Sequence, residues 1–341
     1  MIASKTLINW YSDNKRDLPW RNTKNPYYIW LSEIILQQTQ VNQGLPYYYK
    51  FVNTYPTIEM LANASETDVL KLWQGLGYYS RARNLHYTAQ YIARELHGVF
   101  PKSYKELIKL KGVGDYTASA IASICFNETA PVLDGNVYRV ISRYYGLDTP
   151  INTGKAQKEF KEILFELIDK SNPAEFNQAI MEFGARQCKP QSPDCPVCPF
   201  NKGCYALAKN KVQELPVKLK PVKIKKRFFN YLVYVSEDGK TQLEKRTEKG
   251  IWQNLYQFPL IETKKRLSEY VLKEMVGELT PFKDLALFKD EVLHKLSHQH
   301  LYVKFWIVKV QKIKGEGINT SEVANFPVPI LIGNFLDSFN F

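Results

Sequence analysis

The sequence predicts an all-helical domain followed by a smaller α+β domain. Three observations carry this. Over residues 1–210, apolar positions recur at helical spacing between loops marked by Pro and Gly. Residues 209–227 then hold eight Lys or Arg, one Glu, two Pro and no Gly, the composition of a basic, partly extended linker. Beyond them the period changes, and Leu301, Val303, Phe305 and Ile307 alternate like a half-buried strand. A length of 341 residues suits two domains. The expected boundaries are a helical domain at 1–210, a linker at 211–227 and an α+β domain at 228–341.

Within the first domain, Asn25-Pro26 starts a helix, with Asn as the cap and Pro in the first turn. That helix is expected over roughly 26–42 and sends Ile29, Ile34 and Ile35 to a core. Glu33, Gln37 and Gln40 would share one of its faces as a polar stripe. In the second domain, Tyr231–Val235 and Thr241–Arg246 read as a β-hairpin with Asp238-Gly239 in the turn. Residues 264–277 look helical. There is no internal repeat and no low-complexity tract.

The chain carries 46 Lys and Arg against 34 Asp and Glu, a net charge of +12. With 22 Tyr and 18 Phe, that balance fits a polyanionic partner, of which nucleic acid is the common case. No apolar run approaches the roughly 18 residues of a membrane-spanning helix. The N-terminal residues also lack the apolar core of a secretion signal. The expectation is a cytoplasmic protein that makes no use of a membrane.

Cys125 sits alone in an apolar stretch and reads as a packed thiol. Cys188, Cys195, Cys198 and Cys204 lie within 17 residues. In a reducing compartment, disulfides do not account for such a cluster, and a metal site does. Four thiolates suit zinc and also suit an iron–sulfur cluster.

Two further stretches stand out. In Leu110-Lys111-Gly112-Val113-Gly114-Asp115-Tyr116-Thr117-Ala118, the two glycines allow a tight turn with backbone N–H groups facing outward at a helix start, a seat for phosphate. In Val132-Leu133-Asp134-Gly135-Asn136-Val137, Asp134 stands just before a helix, where Asp commonly serves as a cap.

The spacing Cys188-x6-Cys195-x2-Cys198-x5-Cys204 resembles the 4Fe–4S loop, here 188–204, of the endonuclease III family of DNA glycosylases. The Gly112-Val113-Gly114 turn resembles a helix-hairpin-helix motif, here 107–124. Leu18-Pro19-Trp20-Arg21, the run Ser32–Val41 and the run Trp73–Arg83 extend the likeness. Together, residues 20–204 resemble the A/G-specific adenine DNA glycosylases, the MutY family. In the second domain, Trp252-Gln253-Asn254-Leu255-Tyr256-Gln257-Phe258-Pro259 is similar to a run of that family's Nudix-like domain, with Gln253-Asn254 replacing two glycines. Leu296-Ser297-His298 is similar to its Phe-Ser-His loop, with Leu296 in place of Phe.

The resemblance implies a helix-hairpin-helix glycosylase domain, a six-helix barrel plus an iron–sulfur module, and then a Nudix-like domain. It implies one 4Fe–4S cluster on the four cysteines. The implied partner is double-stranded DNA with A:8-oxoguanine or A:G mispairs, handled by a monomer. Glu33 would protonate the adenine leaving group, which needs a pKa raised by an apolar setting. Asp134 would stay ionised and stabilise the sugar cation, or add to it transiently. Tyr116 and Asn136 would support this pair. Trp20, Leu36, Arg16, Arg21 and Gln178 would shape the adenine pocket. Gln37 and Tyr78 would enter the gap left by the flipped base, Gly112 and Gly114 would hold phosphate, and Ser297 and His298 would read 8-oxoguanine.

Bifunctional endonuclease III relatives carry a Lys where Tyr116 stands, and Tyr cannot form their Schiff base. A DNA-binding module without catalysis has no use for the acidic pair Glu33 and Asp134. The helix at 264–277 holds only Glu269 and Glu274, so recognition is expected in the second domain and not pyrophosphate hydrolysis. His294, His298 and His300 are metal-binding types, yet they lack acidic partners nearby.

Overall fold

In the computed structural model, residues 2–219 and 224–341 are described. Packing divides the chain into two units, Met1–Asn63 with Asn84–Lys220, and Ala64–Arg83 with Pro221–Phe341. Residues 64–83, placed with the helical domain by the sequence, thus group with the C-terminal residues.

The first unit is helical. Asn25 accepts a hydrogen bond from Tyr27 N, Pro26 opens the helix Pro26–Leu36, and eight residues of that helix are buried, Glu33 among them. The helix stops at Leu36, well short of residue 42. Gln37 caps its end, and Gln40 is the N-cap of the next helix, Val41–Thr54. The polar stripe across Glu33, Gln37 and Gln40 therefore does not form. Gly44 gives a physical reason for the break. A Cβ there would lie 2.8 Å from Leu36 Cδ2, so the second helix folds back tightly against the first.

The predicted hairpin is present as the helix Tyr104–Leu107, a turn, and the helix Asp115–Phe126. Gly112 has φ +81°, and a Cβ on it would collide with Asn84 Cβ at 2.8 Å. The helix Gly135–Tyr145 follows, capped by Asp134, and Pro173–Arg186 packs beside it. Cys125 is half-buried.

The second unit holds a four-stranded sheet in the order Leu260–Thr263, Lys225–Ser236, Gln299–Val310, Asp284–Lys295. The predicted hairpin is not made. Lys225–Ser236 pairs antiparallel with Leu260–Thr263 and parallel with Gln299–Val310, while Lys240–Thr241 pairs with Ile318–Asn319. The Asp238-Gly239 turn exists, with Gly239 at φ +72°, but it delivers the chain to another sheet. The alternation at 301–307 holds for Leu301, Val303 and Phe305. On the opposite face, Trp306, Val308 and Val310 form a core with Leu232, Leu272 and Val276. The predicted helix is displaced to Glu269–Leu279, capped by Ser268.

Of the basic linker, residues 220–223 lie outside the described residues. Its described ends are structured. Leu215 is buried, and the first strand begins at Lys225. Among the described residues, no helix is long and apolar enough to cross a membrane.

Candidate active site

Glu33 lies on a helix whose neighbouring residues Ser32, Ile34 and Ile35 are all buried. Burial raises its carboxyl to about 7, helped by the charge of Asp134 and opposed by a hydrogen bond from Tyr116. The Tyr116 hydroxyl also lies 3.2 Å from the Met181 sulfur. Burial first, then the charges of Glu33 and Asp134, push this phenol far above its ordinary range.

Asp134 has a different setting. Its Oδ1 accepts from Asn136 N at 2.9 Å and Val137 N at 2.8 Å, and its Oδ2 accepts from Asn136 Nδ2 at 2.8 Å. Burial raises this carboxyl, while the three N–H donors and nearby Arg139 pull the other way. Asp134 is therefore the helix cap that its position suggests, and its charge also acts on Glu33 and Tyr116. The two carboxyls differ in that one is buried in an apolar helix face and the other is held by donors.

Three of the expected base-holding residues, Arg16, Arg21 and Gln178, line one cleft of about 500 Å3. Their polar groups are already engaged. Arg16 Nη2 and Arg21 Nη2 donate to Glu182 Oε2 at 2.6 and 2.8 Å. Gln178 Oε1 accepts from Tyr11 at 2.8 Å. Burial disfavours the Glu182 charge, but the two guanidiniums outweigh it and hold the carboxyl at about 2. Trp20 is buried edge-on to Tyr48, 5.1 Å between ring centres, and Leu36 faces Gly44.

Gln37 Nε2 donates to Thr117 Oγ1 at 3.2 Å, beside the hairpin. Gly114 is the extended N-cap of Asp115–Phe126, with open space where a Cβ would stand. Asp115, in the first helical turn, accepts from Lys161 at 2.5 Å and Tyr104 at 2.6 Å. That cation offsets a carboxylate that would otherwise repel phosphate at this helix start.

The four cysteines line a cavity of about 30 Å3 together with Arg143. Arg143 is buried and donates to the carbonyls of Lys189, Pro190 and Leu215 at 2.7, 3.0 and 3.1 Å. Its Nη1 lies 3.5 Å from Cys188 Sγ. Burial is the first cause raising the Cys188, Cys195 and Cys198 thiols, the last to about 11. Among the described residues, no group of three or more His, Cys, Asp or Glu is placed to hold a metal ion. The four sulfurs and the guanidinium that line this cavity are the donor and charge types that a thiolate-held cluster uses.

In the second unit, Tyr78 is 51% exposed and has φ +49°. Ser297 and His298 are exposed at the turn between the strands Asp284–Lys295 and Gln299–Val310. Leu296, half-buried, closes that turn through Leu296 N to Gln299 O at 2.9 Å. His294 packs on Trp252, 5.8 Å between ring centres. Asn254 adopts φ +66°, a conformation natural to glycine that Asn also tolerates.

Residues 31–166 match the family described as HhH-GPD superfamily base excision DNA repair protein, and residues 230–338 match the NUDIX domain. Over 316 residues the chain is 35% identical to the adenine DNA glycosylase of Buchnera aphidicola subsp. Acyrthosiphon pisum (strain APS), covering 92% of this chain and 88% of that protein. The chain belongs to the adenine DNA glycosylase family. The adenine DNA glycosylase of Buchnera aphidicola subsp. Baizongia pistaciae (strain Bp) is 37% identical over 314 residues, with 90% and 86% covered. Among solved structures, that of a thermostable thymine-DNA glycosylase aligns with a TM-score of 0.56 at 30% identity, over 60% of this chain and 95% of its own.

Several residues that pack around Glu33, Asp134 and the cysteines were missed from the sequence. Arg139 and Arg143 are buried cations four apart on one helix, among Val137, Val140 and Ile141. A charge on the apolar side of a helix was the available signal. Glu182 had a similar one, lying four residues after Gln178 on the buried side of Pro173–Arg186. Nothing local marked Met181 or Gly184.

Proposed function

We propose that this adenine DNA glycosylase acts in base excision repair on adenine mispaired with 8-oxoguanine or guanine. It flips that adenine out of duplex DNA and hydrolyses its N-glycosidic bond, leaving an abasic site. The observation that carries the reading is the Glu33 carboxyl, raised to about 7 beside an Asp134 carboxylate that accepts three N–H bonds.

Glu33 donates its proton to a ring nitrogen of adenine. The C–N bond then breaks, its electron pair leaves with the neutral base, and positive charge develops on the sugar. Asp134 stabilises that cation or adds to it until water completes the hydrolysis. Tyr116 orients the Glu33 carboxyl, and Asn136 holds Asp134. Tyr116 offers no amine for a Schiff base, which supports hydrolysis without strand cleavage. Arg16, Arg21 and Gln178 are assigned to holding the base, with Glu182 fixing the two guanidiniums, although the cleft they line includes neither Glu33 nor Asp134.

Gly112 and Gly114 present backbone N–H groups to a phosphate. Gln37 and Tyr78 fill the gap in the stack, and Ser297 and His298 read the opposite base. Cys188, Cys195, Cys198 and Cys204 would hold one 4Fe–4S cluster, which supplies a rigid fold for this loop and no step of the hydrolysis. The reduced thiols this needs agree with a cytoplasmic setting. The protein is proposed to act as a monomer.

The test is incubation with a duplex carrying adenine opposite 8-oxoguanine or guanine. Free adenine and alkali-labile sites without direct strand cleavage are expected. A duplex left intact contradicts the reading.

A further inference from the structure

Asn177 is fully buried, on the helix Pro173–Arg186. Both ends of its amide are engaged. Oδ1 accepts from Val132 N at 3.1 Å, and Nδ2 donates to Ala130 O at 2.8 Å and to Ser123 Oγ at 2.9 Å. Val132 N can only donate and Ala130 O can only accept, so one orientation of the amide fits. Ser123, also buried, donates in turn to Ser119 O at 2.8 Å.

The segment that Asn177 holds is irregular. The helix Asp115–Phe126 ends at Asn127, in a left-handed conformation, and Asp134 caps the next helix. Between them, Ala130, Val132 and Leu133 are buried in a stretch that is neither helix nor strand. Buried peptide groups need partners. Ala130 O and Val132 N flank Pro131, and they are the acceptor and donor that a strand offers to one residue of a parallel neighbour. The Asn177 amide takes that neighbour's place.

We propose that Asn177 is a positioning residue for base excision: it fixes the chain just before Asp134 and so sets where that carboxylate meets the sugar. The inference rests on the proposed role of Asp134 as the group that stabilises the sugar cation. The cap bonds from Asn136 N and Val137 N orient the carboxylate on its own helix. They do not fix how the chain enters that helix. Asn177 does so from a different helix, at Val132, two residues ahead of Asp134. Stabilisation of a cation depends on distance and on a setting made before the charge develops. An amide buried only for packing would affect stability and leave that setting unmoved.

The test compares two duplexes bound by the full chain, each with 8-oxoguanine opposite the altered nucleotide. One carries a pyrrolidine there, cationic where the sugar charge develops, and the other its neutral tetrahydrofuran counterpart. The ratio of their dissociation constants reads the stabilisation of the cation and cancels any general change in DNA binding. Asn177→Leu keeps the approximate volume and removes the amide. It is expected to lower the preference for the cation about tenfold, the scale of one or two hydrogen bonds. Single-turnover adenine release should slow, with binding of the neutral duplex kept. Asn177→Ser, a milder change, reads the same ratio if the leucine variant does not fold. A wild-type preference in the Asn177 variant, beside an Asp134→Asn variant that has lost it, overturns the inference. Equal weakening of both duplexes overturns it too. If Asp134→Asn itself keeps the preference, the role assigned to Asp134 fails, and the inference falls with it.

Discussion

The Arg139 guanidinium donates from Nη2 to the Gly184 carbonyl oxygen at 2.6 Å. The same side chain donates to Asn136 Oδ1 at 2.8 Å and to Cys188 O at 2.7 Å. One buried cation therefore joins the helix that Asp134 caps, the end of Pro173–Arg186 and the first cysteine of the loop. The carboxylate assigned to the sugar cation is set by packing that runs to the cysteine module.

Gly184 is the point where that packing is tightest. A Cβ there would stand 2.7 Å from Asn136 Cβ and 2.8 Å from Asn136 O. Gly184→Ala forces the two helices apart at the residue that holds Asp134. Thermal unfolding should show a loss of about 1–3 kcal/mol, and adenine release measured on the folded variant should be slower.

Glu182→Gln removes the charge shared by Arg16 and Arg21 and leaves two guanidiniums crowded together. Glu182 is buried but Arg16 is 35% exposed, so solvent screening limits the loss to about 1–3 kcal/mol, checked by denaturant unfolding at neutral pH. The sign with pH is fixed by the lowered carboxyl. Its stabilisation is present above the unfolded value of 4.5 and is lost as pH falls toward about 2. The difference between wild type and Glu182→Gln should therefore shrink in acid.

The hairpin glycines, the Asp134 cap and the cysteine spacing were legible because each depends on a residue type at a fixed local offset. Gly112 needs a positive φ, and Asp134 needs the N–H groups two and three residues ahead. The Glu33, Gln37 and Gln40 stripe failed because the tight approach at Gly44 ends the helix at Leu36. The hairpin at 231–246 failed because strand pairing is decided across the sheet, where Lys225–Ser236 takes Gln299–Val310 as its parallel neighbour. The hydrogen bond between the Tyr78 and Ser297 hydroxyls spans 219 positions, which no local pattern encodes.

Arg143 shapes the cysteine loop through the carbonyls of Lys189 and Pro190 and ties it to that of Leu215. Native protein should contain about four iron and four sulfide per chain. Arg143→Ala should lose most of both on purification. Arg143→Lys should recover little, because an ammonium cannot reproduce the planar set of donors. Full iron content in Arg143→Ala would separate the loop's shape from cluster retention.

The rate of adenine release should follow the protonated fraction of Glu33. With that carboxyl raised to about 7, the proton is present at lower pH and lost as pH rises. Single-turnover rates should fall about tenfold per pH unit above that value, and fall again in acid once Asp134, whose carboxyl burial raises, takes up a proton. Duplex binding, measured across the same range, should not show the same limb.

Glu33→Gln tests the central claim most directly, since it keeps the shape of the side chain and removes the ionisable proton. Single-turnover release of adenine from an A:8-oxoguanine duplex is compared with wild type, alongside the binding constant for that duplex. The account expects a rate lower by at least about 100-fold with binding retained, the usual range for loss of a general acid. A variant that releases adenine at the wild-type rate would show that Glu33 is only a buried polar residue on its helix.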